Sequence, residues 1–184
     1  MTYKTHILSS TIITLPISII LSISNIIPSY HHGLLIILFS LIGTVFPDID
    51  NRKAFISRFL FLNKISSTIT LFIKHRGFTH SLYSIVIIML SLLYFSFKES
   101  FSIESTIISI SFIFGYILHI FLDSFTYMGI PNFFLNYNLK LGNTRILVSS
   151  ENENKLYIFF IKIQFIELIL IILFYFLTIF PYTT

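Results

Sequence analysis

Long stretches of Ile, Leu and Phe alternate with short polar breaks along the 184 residues of this chain. Residues 7–27 are apolar enough for a first membrane span, with Pro16 tolerated as membrane helices tolerate it. Pro28 and the Ser29-Tyr30-His31-His32-Gly33 turn are expected to end that span. The run from Leu34 to Val45 is short for a full crossing and stops at Phe46-Pro47, which predicts a tilted helix or local thinning of the bilayer. Further spans are expected at 81–97, at roughly 106–127 and at 157–180, separated by the Lys98-to-Ser105 turn and the polar stretch 129–156. Residues 51–74 mix Phe, Ile and Leu with Arg52, Lys53, Arg58 and Lys64, a pattern that suits a helix lying in the headgroup region, where it would lid a site beneath it. The expected fold class is all-α: a polytopic membrane bundle of about five spans plus an interfacial helix, forming one domain over residues 1–184 without internal repeats.

Composition strengthens the membrane reading. Mean hydropathy is +0.88 and only 11% of residues are charged. There is no cysteine, so disulfides, thiolate metal sites and a thiol nucleophile are all excluded, and any metal must be held by imidazole and carboxylate. The net charge of +4 does not point to nucleic acid, because the Lys and Arg are scattered through loops beside apolar segments, where anionic headgroups attract them. The first apolar run lacks an Ala-x-Ala type of cleavage site and reads as a retained span. Lys4, the six basic residues from Arg52 to Arg76, and Lys140, Arg145 and Lys155 fall on one side of this topology, with Lys98 alone opposite and Lys162 within the last span. The positive-inside rule then puts the N-terminus in the cytoplasm.

Several polar clusters sit at the ends of the apolar runs. His75-Arg76-Gly77-Phe78-Thr79-His80 directly precedes one of them, and imidazoles five residues apart cannot share a helix face. Gly77 permits a turn between them, and Thr79 is expected to cap the next helix, with His80 in its first turn. Asp48 and Asp50 follow Pro47, a loop arrangement that lets carboxylates converge on a cation. His119 and Asp123 are an i, i+4 pair on one face of the fourth span, and ionisable groups at membrane depth are costly enough to mark function by default. His6 opens the first span. Each motif has a bland reading: a buried structural pair for His119 and Asp123, a cap for Asp-x-Asp, a headgroup contact for Arg76. Their convergence is the signal, since four of six histidines and three of eight acids meet on one predicted membrane face. Arg76 is a candidate to hold an anionic substrate group. His31 and His32 fall on the opposite side and read as interfacial residues, and nothing ties Glu167, inside the last span, to the site.

The ordered set Thr5-His6, Pro47-Asp48-Ile49-Asp50, His75-Arg76-Gly77-Phe78-Thr79-His80-Ser81, Gly115-x3-His119-x3-Asp123-x2-Thr126 and Gly129 resembles the YdjM-like, LexA-regulated, membrane-bound metal-dependent hydrolases of prokaryotes. The resemblance spans residues 5 to about 153. It implies a hydrolase related to zinc-dependent phospholipase C folds, whose sites also carry His-x3-Asp on a helix. Family members tend to carry Gly-Ser-x-x-Glu after the fourth span; here Ser149-Ser150-Glu151-Asn152-Glu153 lacks the glycine, so Glu153 stays outside the core set.

Together these observations predict a divalent metal, zinc first among the candidates, as one or two ions at the cytoplasmic mouth of an inner-membrane bundle. His6, His80, His119 and Asp123 are the expected ligands, Asp48 and Asp50 ligand or bridging carboxylates, and His75 ligand or acid/base, with Asp50, His75 and Arg76 the residues expected to serve catalysis. The expected substrate is a lipid ester or phosphoester attacked by metal-activated water. Two rivals stand beside it: a transporter using the His and Asp residues as an ion or proton relay, and a non-catalytic protein stapled by its metal.

Overall fold

The computed structural model describes residues 1–58, 64, 66–68, 76–135, 137–141 and 148–179. Among the described residues, five long helices carry the architecture: α1 (Tyr3–Ile23), α2 (Tyr30–Val45), α3 (Leu82–Lys98), α4 (Ile103–Ser124) and α5 (Ser150–Ile179). Tyr3–Ile23, Tyr30–Asp50, Ile103–Ser124 and Asn152–Phe174 are each long and apolar enough to cross a membrane. The 17-residue α3 is shorter, about 25 Å at 1.5 Å per residue. The all-α membrane class is therefore observed, and an antiparallel hairpin, β1 (Ile130–Phe134) and β2 (Tyr137–Leu139), stands within the stretch expected to be merely polar.

The packing is inverted relative to a water-soluble bundle. On α4, Ile110, Phe114, Ile117 and Phe121 recur at spacings of four and three and are exposed, while Ser105, Ser109, Tyr116, His119 and Asp123 line the buried face. On α1, Ile13, Ile17 and Ile20 face out, while Ser10, Thr14 and Ser18 face in. Lipid is as apolar as Leu, so the interior is chosen for close approach and hydrogen bonding rather than for burying large side chains. Many inner hydroxyls are satisfied along their own helix, as in Thr14 to the Ser10 carbonyl (2.8 Å), and others pair between helices, as in Ser10 with Ser40 (3.1 Å).

The closest helix contact, between α2 and α4, is made by two glycines. A methyl group at Gly43 would lie 2.0 Å from the Phe112 carbonyl oxygen, and one at Gly115 would lie 2.0 Å from the Ser40 carbonyl oxygen. Only hydrogen fits at either position, and the two backbones touch. This contact fixes α4 against the end of α2, and the Thr44 hydroxyl reaches the Gly115 carbonyl at 3.3 Å.

Two local expectations are corrected. The second apolar segment is not a short run beginning at Leu34: its helix starts at Tyr30 and continues through a 3-10 turn, Phe46–Asp50, to give a full-length span. The residues read as a turn start the helix instead, with the His32 amide bonded to the Ser29 carbonyl (3.0 Å). Thr79 does not cap the following helix. Ser81 does, its hydroxyl accepting from the Ser84 amide at 3.3 Å, and His80 lies in a 3-10 turn, Phe78–His80, just ahead. Most of the stretch expected to form the interfacial helix lies outside the described residues; what is described includes the 3-10 turn Ile56–Arg58 and an Arg52 bond to the Ser67 carbonyl (3.0 Å).

Candidate metal centre

Four chain segments deliver the polar side chains to one end of the bundle. The first turns of α1 bring His6, the 3-10 turn after α2 brings Asp48 and Asp50, the turn before α3 brings His80, and the last two turns of α4 bring His119 and Asp123. His6, Asp50, His80, His119 and Asp123 are fully buried, and the Asp48 side chain retains 14% exposure.

The ring orientations are set from behind. His119 Nδ1 lies 2.6 Å from the Thr44 carbonyl oxygen, which can only accept, so that nitrogen carries the proton and Nε2 carries the lone pair. Thr79 donates its hydroxyl to Asp50 Oδ2 at 2.5 Å, so its oxygen is left to accept from His80 Nδ1 at 3.1 Å. His80 is therefore also an Nδ1–H tautomer with its Nε2 lone pair forward. The two Nε2 atoms face each other at 3.2 Å. Lone pairs that close repel unless a cation lies between them. Tetrahedral zinc with bonds of about 2.0–2.1 Å places adjacent nitrogens about 3.3–3.4 Å apart, close to the observed separation.

Carboxylates complete the cage. Asp48 Oδ1 lies 3.8 Å from both Nε2 atoms, and Asp123 Oδ2 lies 3.8 Å from both as well. His6 stacks on His119 with ring centroids 3.8 Å apart, and its Nε2 lies 3.2 Å from Asp123 Oδ1. Neither His6 ring nitrogen has a hydrogen-bond partner of good geometry among the described residues, a costly condition for a buried imidazole. Two overlapping groups able to hold a metal result, His6/His119/Asp123 and Asp48/His80/His119. The residues present fit a divalent ion: neutral imidazoles held in one tautomer, carboxylates opposite them, and acceptors behind the rings.

Arg76 adopts a left-handed backbone conformation (φ 61°), which aims its amide at Asp50 Oδ2 (3.1 Å). Its guanidinium bonds Asp123 Oδ2 (3.1 Å), the Thr126 hydroxyl (2.9 Å) and the Gly129 carbonyl (3.2 Å). The Met1 amino group meets Asp123 Oδ1 at 2.7 Å. Asp123 is thus held on both oxygens.

Of the residues expected to act, His6, Asp48, His80, His119 and Asp123 meet with their donor atoms forward. Asp50 stands on the Nδ1 side of His80, 3.6 Å away, behind the ring rather than among the facing atoms. His75 lies outside the described residues. Glu153 accepts from the Thr5 hydroxyl (2.9 Å) and the Thr2 amide, tying α5 to the start of α1 one residue from His6. His31 and His32 lie at the other end of α2, and Glu167 lines a groove between α1 and α5 with Ile12 and Pro16.

Sequence reasoning missed three supporting residues. Tyr116, fully buried, meets the Thr79 carbonyl and, at 3.0 Å, the Ser84 hydroxyl, which steadies the His80 turn. Its i, i+3 spacing to His119 was the available signal. Thr79 acts through its hydroxyl, a use that a helix-cap reading hides. Thr44 acts through its backbone carbonyl, which no side-chain pattern reveals.

The family described as YdjM inner membrane protein matches residues 1–183. Inner membrane protein YdjM of Escherichia coli (strain K12) is 34% identical over 92 residues, covering 50% of this chain and 45% of that protein. The protein of the same name from Shigella flexneri gives the same figures. The chain thus aligns with less than half the length of these curated relatives. No solved structure matches it.

Proposed function

This chain belongs to the YdjM family of inner membrane proteins, and we propose that it is a membrane-bound metal-dependent hydrolase acting on an ester or phosphoester at headgroup depth. The observation that carries the reading is the pair of Nε2 atoms facing at 3.2 Å, each with its tautomer set from behind. When bound, a divalent ion such as zinc supplies Lewis-acid chemistry, activating a water and polarising the oxygen of the bond to be cleaved. His80, His119 and Asp123 would hold it, which leaves a tetrahedral position for water, with His6 packed beside Asp123. His119 offers one forward lone pair, so the two overlapping groups describe a single centre.

The remaining residues position and protect. Asp50, through Thr79, keeps the His80 proton on Nδ1 and is a positioning residue. Arg76 holds Asp123 in place: its terminal nitrogens are engaged by Asp123, Thr126 and Gly129, which disfavours the anion-binding role read from the sequence. Asp48, with the most exposed carboxylate of the cluster, stands at the open edge and is the group placed to take a proton from incoming water. Such help typically contributes ~10²–10⁴-fold in rate. The site lies at the helix ends rather than mid-bundle, which supports a lipid ester or phosphodiester as the substrate.

The test is release of water-soluble headgroups from a mixed lipid panel by zinc- or manganese-loaded protein. Turnover that disappears in His119→Ala supports the hydrolase. A metal-loaded, folded protein that cleaves no ester or phosphoester favours the metal staple instead.

A further inference from the structure

A second donor cluster stands at the other end of the bundle, away from the residues of the main centre. His31 and His32 lie in the first turn of α2, and Glu104 lies in the first turn of α4, where a carboxylate is favoured by the helix N-terminus. Each offers one donor atom, and the three atoms lie within 4.8 Å of one another. Glu104 is fifteen residues before His119 on the same helix, so the two clusters are ~22 Å apart along it.

His32 is the informative member. It is 5% exposed, and its Nε2 lies 3.5 Å from Glu104 Oε1 without a hydrogen bond of good geometry to any described residue. Ser29 Oγ lies 2.8 Å from His32 Nδ1 and 3.0 Å from His31 Nδ1. A hydroxyl has one proton and can donate to only one of these nitrogens, so it accepts from the other ring. With Nδ1 of His32 engaged by Ser29, Nε2 is the ring atom left toward Glu104. A His32 that gives its Nδ1 proton to Ser29 would turn a buried Nε2 lone pair toward the carboxylate, the arrangement that holds a divalent cation between imidazole and carboxylate. The separation of 3.5 Å is close to the ~3.4 Å between adjacent nitrogen and oxygen ligands of one tetrahedral zinc. The His31 ring lies tilted beside it, ring centroids 4.2 Å apart, and is exposed, so the cluster is open to solvent on one side.

We propose that His31, His32 and Glu104 form a second divalent-cation site, independent of the His80–His119 centre and at the opposite end of the bundle. Held there, an ion ties the start of α2 to the start of α4, the two helices whose glycine contact positions the main centre.

The probe is Zn²⁺, titrated calorimetrically into metal-stripped, detergent-purified full-length protein. The wild type is expected to bind two equivalents. His31→Ala and Glu104→Gln, both at exposed positions and chosen so that folding survives, should keep one equivalent at unchanged affinity and weaken the other at least ~10-fold, the loss that even outer-shell changes reach. His119→Ala should do the reverse, so failure of the main centre and failure of this one give different patterns. The inference is overturned if His31→Ala and Glu104→Gln titrate like the wild type. It is equally overturned if His32 proves to be an imidazolium paired with Glu104, seen by NMR as a His32 titration that moves to lower pH in Glu104→Gln without any Zn²⁺ effect.

Discussion

Gly115→Ala is the substitution that best tests how the fold builds the main centre. A methyl group there would lie 2.0 Å from the Ser40 carbonyl oxygen and 2.8 Å from the Thr44 hydroxyl oxygen, where ordinary contact begins at 3.4 Å. Helix α2 must therefore retreat from α4 by about 1.4 Å, the gap between those figures. The bond from His119 Nδ1 to the Thr44 carbonyl, 2.6 Å in the native packing, then stretches to about 4 Å, beyond hydrogen-bond range. The His119 ring loses the acceptor that keeps its Nε2 lone pair forward. Loss of such a partner costs ~10–100-fold in metal affinity, or about 1.4–2.8 kcal/mol. The assay is competition for zinc against a chromophoric chelator, with helicity followed by circular dichroism to confirm folding. Gly115→Ala and its control, Gly33→Ala, are both measured in the His31→Ala background, which removes the second cluster; the control's methyl group would meet the Ser22 hydroxyl at 3.3 Å, a side chain that can turn aside, at the far end of α2. Affinity in folded Gly115→Ala within twofold of the wild type would refute the claim that backbone contact sets the His119 geometry.

Asp50→Ala removes the acceptor to which Thr79 donates, and metal affinity is expected to fall ~10–100-fold in a competition titration; unchanged affinity with lost turnover would make Asp50 a proton-transfer group instead. Arg76→Lys keeps the charge but cannot span Asp123, Thr126 and Gly129 together, so faster loss of metal to a chelator is expected, and unaltered kinetics would remove Arg76 from the support of Asp123. For orientation, a cysteine at the exposed Lys53 should resist an impermeant thiol reagent in intact cells while one at Ser100 is labelled, and the opposite pattern would place the main centre outside the cytoplasm.

The spans were legible because lipid selects large apolar side chains over most of each helix surface, producing the runs seen from Ile7 onward. The inner faces were harder to read. Ser and Thr of α1 and α4 look in sequence like dilution of an apolar run, yet they are the packed interior. His6, Asp48, His80, His119 and Asp123 could be grouped in advance because ionisable groups are rare in such a chain and the expected topology put these on one side. Their relative placement was not legible: Asp48 and Asp50 are two residues apart in one turn, and only the fold shows that one faces the Nε2 atoms while the other stands behind His80. The cluster of His31, His32 and Glu104 escaped because Glu104 is more than seventy residues from its partners, and adjacent histidines at a helix start resemble ordinary interfacial residues. The hairpin at Ile130–Leu139 was hidden because Pro131 and the asparagines at 132, 136 and 138 interrupt its apolar residues and read as loop, although its Ile130 is fully buried against Tyr116 and Ile120.

The central claim is that the facing Nε2 atoms of His80 and His119 hold a divalent ion, and metal content tests it most directly. The measurement is elemental analysis of detergent-purified, folded protein after zinc and manganese supplementation, made in the His31→Ala background so that the second cluster does not contribute. One tightly held ion per chain is predicted, and none when His119→Ala or Asp123→Ala is added. A folded protein that stays metal-free, or one whose single ion survives His119→Ala, would contradict the account.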